Sequence, residues 1–390
     1  MLYKKIIGFA LTALALTNAS PVASDPAPGS IEDAQTVEDL AKVALELLGE
    51  DPSVFQKRGQ CNIFNAAVRR EWGTIPKAQR KEYTDAVKCL MNKPPRTSKA
   101  DAPGVHNRYD DFVATHVNQT MQIHETGNFL VWHRYFVWAF EQALRNECGY
   151  KGYQPYWNWA RDHDNPHKSA MFDGSEYSMS GDGDYVPHGG SCLDPAGTFC
   201  IPPGNGGGCV NSGPFAGMNV TLGPVTATMD GVLPAPGNGL GDNPRCLKRD
   251  ISVYLSKNYL TDNIIFKLIA FNPTIARFQK DLQGDLPTMG VHIAGHFTIN
   301  GDPGSDVFTS PGDPAFWLHH GMIDRVWWIW QNLNRSKRLH SIAGTITFMN
   351  NPPSRDATLD DLMDLGVSGA PIPLRDGMDT MAGPFCYIYL

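Results

Sequence analysis

Hydrophobic and polar positions recur with a helical period along the first part of the chain, and the period is lost in the middle. Between Thr36 and Gly49, Val37, Leu40, Ala41, Ala44 and Leu47 fall three or four apart, which predicts an amphipathic helix. Residues 60–92 carry two further helical patterns, broken between Gly73 and Pro76. In Tyr109–Thr120, Phe112, Val113, His116 and Val117 share a face. Glu125-Thr126-Gly127-Asn128 interrupts that pattern, and Leu130–Asn146 continues as a long helix ending before Gly149. From residue 160 to 245 no period is sustained, and Gly, Pro, Asp and Ser are frequent. A patternless stretch of this length is unusual in a compact protein, and it predicts irregular structure packed on a helical core. Helical patterns return at Leu247–Leu260, at Ile275–Asp281, around His292–His296 and at Asp324–Arg335, the last dense in Trp327, Trp328 and Trp330. The tail from Ile342 holds Pro352-Pro353, an Asp-rich stretch and a β-like end. The predicted class is mainly α.

Composition narrows the picture. The chain has 390 residues, 42% of them hydrophobic, enough for one large core or two modest ones. The net charge of −7 and the absence of a basic stripe argue against nucleic-acid or anionic-membrane partners. Lys4 and Lys5, the apolar run Ile6–Leu16 and the small residues Ala19 and Ser20 form a secretory signal over residues 1–20, too short to span a bilayer. An N-terminal extension (21–57) and the main body of the chain (58–390) are expected to follow, in an extracellular protein. Eight cysteines behind a signal imply up to four disulfides: Cys61, Cys89, Cys148, Cys192, Cys200, Cys209, Cys246 and Cys386. The sequence leaves their pairing open. Cys192, Cys200, Cys209 and Cys246 lie where staples would compensate for a thin core, and Cys386 is placed to tie the C-terminus back. No C-x-x-C pair occurs, which argues against thiolate metal ligation. Of three glycosylation sequons, Asn118 sits inside a helical pattern and is expected to be buried, leaving Asn219 and Asn334 as candidates.

The chemistry lies in six histidines in two groups, His116, His124 and His133, then His292, His296 and His320. Three imidazoles apiece suggest two metal ions. His292 and His296 are four apart, so a helix places both on one face. Zinc proteases share that spacing but need Glu after the first His, and here the residue is Ile293. His319 and His320 are adjacent and point about 100° apart on a helix, so one is a ligand and the other a supporting residue. The spacings in the first group are too wide for one helical face. They require a helix, a turn holding His124, and a second helix carrying His133.

Together with Val68-Arg69-Arg70-Glu71-Trp72, Trp132-His133-Arg134-Tyr135, Pro155-Tyr156-Trp157-Asn158-Trp159, Gly213-Pro214-Phe215 and the run Asp313-Pro314 through Asp324-Arg325, these segments resemble the tyrosinase family of type-3 copper proteins. The chain is most similar to short secreted fungal tyrosinase-like and catechol-oxidase-like enzymes. The resemblance implies a four-helix-bundle core holding a dicopper centre, with long disulfide-pinned loops and few short strands. It implies His116, His124 and His133 on the first copper, His292, His296 and His320 on the second, and His319 behind them. Arg134, Glu141, Asp324 and Arg325 resemble a buried ionic framework bracing the ligand helices. Tyr387-Ile388-Tyr389 resembles the motif closing the catalytic domain, with Arg70 as its expected partner and no C-terminal shielding domain beyond it. The thioether that tethers the second ligand of the first copper in relatives needs a nearby cysteine, and residues 117–132 contain none.

The implied activity is oxidation of o-diphenols to o-quinones with O2 as co-substrate, by a monomer or weak dimer acting on small phenols. Ortho-hydroxylation of phenols is associated with Asn after the first ligand of the second copper and a nearby Glu. Ile293 and Met289 stand there instead, so diphenol oxidation is favoured over a true tyrosinase or a methoxyphenol-active monooxygenase. Ile293 and Phe297 are expected to line an apolar entrance, with Val307 as a small gate that admits methoxy-substituted rings. A haemocyanin-like oxygen carrier is the distant alternative.

Overall fold

The computed structural model describes residues 30–54, 61–192, 199–226, 229, 231–284 and 288–390. The expected signal over 1–20 lies outside the described residues. Ten helices carry the described fold: α1 (Val37–Glu50), α2 (Lys77–Met91), α3 (Arg108–Ile123), α4 (Phe129–Cys148), α5 (Val253–Tyr259), α6 (Asp262–Ala270), α7 (Ile275–Gln283), α8 (Val291–Ile299), α9 (Phe316–Asn332) and α10 (Arg335–Arg338). None of the described helices is long and apolar enough to cross a membrane. The mainly helical class is borne out.

Helix α9 is the axis. Every residue from Phe316 to Asn332 is buried, and α1, α4, α6 and α8 pack around it. The contact with α4 includes Phe140 stacked on Trp317, with ring centroids 3.6 Å apart. Helix α3 is started by Asn107, whose side chain accepts from the Asp110 amide while Asp110 returns the bond, a reciprocal cap. It stops at His124, where the backbone becomes extended and Glu125 takes φ 49°. Helix α4 ends on Gly149 at φ 71°, a left-handed cap that a side chain would disfavour.

The stretch assigned to an N-terminal extension contributes α1 to this core. Thr36 and Asp39 form its capping box, and Val37, Leu40, Val43, Ala44 and Leu48 are buried. Its Glu38, half exposed, reaches Arg325 Nη2 at 2.7 Å. Arg325 is 1% exposed, and its Nε and Nη1 have no hydrogen-bond partner among the described residues. Glu38→Ala should therefore lower stability by about 1 kcal/mol, toward the small end because solvent screens the carboxylate. A urea titration checks this, and an unchanged midpoint would count against it.

Strands among the described residues are short and come in five pairs. Ala67–Arg69 runs parallel to Tyr387–Tyr389, so the predicted helix at the start of 60–92 is instead a strand, fixed by a partner some 320 positions away. The disulfide Cys61–Cys386 locks this pair, as expected for Cys386. Cys89–Cys148 joins the ends of α2 and α4, and Cys192–Cys200 and Cys209–Cys246 staple the patternless region. Asn219 is exposed and Asn334 half-buried. Asn118 is also exposed, on the outer face of α3, so burial does not exclude it as a glycan acceptor.

Candidate metal centre

The first histidine group is built from two helices and the turn between them. His116 lies in α3, His124 ends it, and His133 lies one turn into α4. Each ring is oriented by a backbone carbonyl: His116 Nδ1 meets Phe308 O at 2.8 Å, His124 Nδ1 meets Thr120 O at 3.0 Å, and His133 Nδ1 meets Phe129 O at 2.8 Å. A carbonyl can only accept, so each Nδ1 carries the proton and each Nε2 is a free lone pair. The Nε2 atoms of His116 and His133 are buried and have no hydrogen-bond partner among the described residues. Burying such an atom is costly without a partner, and a metal ion supplies one.

The second group comes from α8 and α9. His296 Nε2 stands 3.2 Å from both His292 Nε2 and His320 Nε2. Two imidazole nitrogens sharing one tetrahedral ion are separated by about 3.3 Å, given metal–nitrogen bonds of roughly 2.0–2.1 Å. In each group the candidate ligand atoms lie within 4.8 Å of one another. The groups abut: the His133 ring stacks on His320 with centroids 4.6 Å apart, and His124 lies 6.0 Å from His292.

His319 falls within the second group by distance, but its Nε2 donates to the carbonyl of His292 at 3.1 Å. The same Nε2–Cε1–Nδ1 edge of the ring presses on Gly295, where an added Cβ would stand 2.1 Å from Cε1, 2.4 Å from Nδ1 and 3.0 Å from Nε2. Both ring nitrogens thus face the α8 backbone, and the residue clamps α8 to α9.

Burial lowers every one of these histidine pKa values, with neighbouring imidazoles adding to the effect at most of them. His124 is pushed down to about 4 and His319 to about 3, while His116, His133, His292, His296 and His320 fall well below the ordinary value. All are neutral at pH 7, the form that binds metals.

Behind the ligand helices lies a buried ionic cluster centred on Asp324. Its Oδ1 accepts from Arg134 Nε at 2.6 Å, and its Oδ2 accepts from Arg69 Nη1 at 3.3 Å and from the hydroxyls of Tyr387 and Tyr389 at 2.6 and 2.5 Å. Arg69 passes on to Glu141 at 2.9 Å. Two expectations are corrected. Arg69, not Arg70, joins the C-terminal tyrosines, because strand alternation turns Arg69 inward. Arg325 points about 100° away around α9 and pairs with Glu38 instead. Sequence reasoning quoted Arg69 within its motif but missed its role. No local signal gives it, because the pairing that turns Arg69 inward is with Tyr389 at the far end of the chain.

His296, Ile293 and Phe297 are half-buried, and Val307 is 44% exposed beside Phe308, whose carbonyl holds His116. Met289 is buried, and neither histidine group includes a carboxylate.

Comparison with known proteins agrees with this geometry. Residues 106–333 match the family model described as the common central domain of tyrosinase. The chain is 41% identical over 346 residues to N-acetyl-6-hydroxytryptophan oxidase of Emericella nidulans, covering 85% of this chain and 94% of that protein. It is 39% identical over 329 residues to tyrosinase P of Aspergillus terreus, covering 83% and 91%. A solved polyphenol oxidase from Thermothelomyces thermophila superposes with a TM-score of 0.85 at 42% identity, covering 90% of this chain and 96% of that one.

Proposed function

The chain belongs to the tyrosinase family and is a copper oxidoreductase of polyphenol-oxidase type, and from that premise we propose that it oxidises o-diphenols to o-quinones at a centre of two copper ions. The observation that carries the proposal is the pair of abutting imidazole groups: in the first, the buried Nε2 atoms of His116 and His133 have no hydrogen-bond partner among the described residues, and in the second, the Nε2 atoms of His292 and His320 converge on that of His296 at 3.2 Å. His116, His124 and His133 would hold the first ion, and His292, His296 and His320 the second. A copper pair supplies, when bound, a place for O2 and for the two electrons that each diphenol gives up. Two diphenols and one O2 yield two o-quinones and two waters.

The protein's own residues set the conditions for this chemistry. The carbonyls of Phe308, Thr120 and Phe129 fix the tautomers of the first group, so no proton blocks a ligand nitrogen. His319 fixes α8 against α9. Ile293 and Phe297 present carbon to an entering ring and no acceptor for a phenolic proton. An o-diphenol does not need a strong base at that point, whereas a monophenol, with a pKa near 10 in water, benefits from one. Diphenol oxidation is therefore favoured over phenol hydroxylation. Exposed Val307 leaves lateral room for a methoxy group. The disulfides fit a secreted enzyme.

Oxygen uptake by the copper-loaded protein tests this with catechol, a plain monophenol, guaiacol and a 6-hydroxyindole, the last suggested by the name of the Emericella relative. Catechol should be consumed and the monophenol should not. Val307→Phe should reduce turnover of guaiacol relative to catechol by about tenfold, the scale on which an apolar pocket discriminates by size. Rapid uptake on the monophenol would defeat the assignment to Ile293, and an unchanged guaiacol ratio would defeat the gate.

A further inference from the structure

We propose that Gln279 and Gln283 of α7 are positioning residues for His124, an inference that rests on the copper reading above. His124 alone among the six histidines lies outside a helix. It ends α3 in extended backbone, followed by Glu125 in the left-handed region. No helical ladder fixes it there. Its ring bonds back to Thr120, so its aim depends on how the chain leaves α3.

The turn is held from two sides. Glu125 N donates to Gln283 Oε1 at 3.1 Å, and Gln279 Nε2 donates to Thr126 O at 2.7 Å. Both glutamines are buried. Across the turn, Gly127 N donates to Thr345 O at 2.9 Å, and Met349 N donates to Glu125 O at 3.3 Å. Gly127 and Gly344 touch so closely that a Cβ on Gly127 would stand 2.6 Å from Gly344 O. Four backbone groups of the turn thus depend on distant partners. All eight cysteines are in disulfides, so no thiol can tether His124 covalently. Gln283 adds a second link: its own carbonyl accepts from Gly290 N, the cap of α8, at 3.3 Å. One residue therefore joins the turn of His124 to the helix of His292 and His296.

The two side chains act with opposite polarity, and this makes the idea testable. Gln283 accepts, so Gln283→Glu keeps its bond. Gln279 donates, so Gln279→Glu sets a carboxylate against a carbonyl. The experiment measures copper per chain after loading and gel filtration, and the rate of copper loss to EDTA. Far-UV circular dichroism of the metal-free proteins monitors the fold. Wild type and Gln283→Glu should retain two coppers. Gln279→Glu, and the Leu variants at both positions, should fall toward one copper and release it at least about 10-fold faster, the scale of changes behind a metal ligand. If the Leu variants do not fold, the Glu pair decides. Glu variants that behave alike, or a folded Leu variant with wild-type copper retention, would overturn the proposal. A wild type that retains no copper would instead overturn the reading beneath it.

Discussion

Asp324→Ala should lose at least about 3–5 kcal/mol of stability, the range for removing one partner of a buried ionic cluster. Asp324 is the acceptor on which Arg134, Arg69, Tyr387 and Tyr389 converge, and all five side chains are buried. Without it two guanidinium groups and two hydroxyls lose an acceptor away from water. Arg134 keeps Met378 O at 2.6 Å and Gln331 Oε1 at 2.9 Å, and Arg69 keeps Glu141, so the cluster would be weakened rather than emptied. Against a total stability of about 5–15 kcal/mol, the loss should show as a large fall in the urea midpoint and in soluble yield. The damage should also reach the centre, because Asp324 lies one helical turn beyond His320 on α9 and Arg134 follows His133 on α4.

The same cluster gives an expected pH dependence. Burial alone would raise the Asp324 pKa, but Arg134, Arg69 and the two tyrosine hydroxyls more than offset it, so the value lies below the ordinary 3.8. A depressed folded pKa contributes stability that is fully present above the unfolded value and is lost as the pH falls through the folded one. The stability gap between wild type and Asp324→Asn should therefore be constant above about pH 5 and narrow below 3.8. A gap that persists unchanged to low pH would mean that shape, not charge, holds the cluster.

What the sequence made legible follows from where period and motif coincide. Helices α1, α3 and α4 each keep a polar face, so their hydrophobic residues recur visibly. Helix α9 is buried on every side, and its period vanishes. Only its tryptophan-rich end was read as a helix, although the histidines before it were found by motif. Helix α6, nine residues with the run Ile264-Ile265-Phe266, was missed because a short apolar run is ambiguous between strand and helix. The strand at Ala67–Arg69 could not be read locally at all, since its partner is the far end of the chain. The same blindness explains Arg69 and Arg70: which of two adjacent arginines turns inward is decided by pairing register. The six histidines were legible because their chemistry constrains spacing and neighbours together. The clamp on His124 was not, because Gln279, Gln283 and Thr345 are joined to that turn only by the fold.

The second large effect is expected at Gly295, a residue without any chemistry of its own. Gly295→Ala replaces a poor helix former by the best one and should gain about 1 kcal/mol from that change alone. The packing term opposes it. The new Cβ would stand 2.1 Å from Cε1 of His319. That ring cannot retreat freely: its Nε2 is bonded to His292 O, it stacks parallel to the His292 ring at 5.8 Å, and Trp159 and Trp157 lie behind it at 5.3 and 6.5 Å. Overpacking of a rigid core costs about 1–3 kcal/mol or more, which exceeds the helical gain. The displaced ring would also separate α8 from α9, and the 3.2 Å approach of His296 to His320 spans that interface. Copper at the second position and oxidase activity should therefore be lost together, with activity down by at least about 100-fold, the scale on which a misplacement of about 1 Å acts. The double variant Gly295→Ala with His319→Ala separates the causes. If the clash is responsible, removing the ring should restore part of the stability lost in Gly295→Ala, even though His319→Ala alone is destabilising. A double variant no better than the sum of the two singles would show that Gly295 is required for some reason other than room for His319.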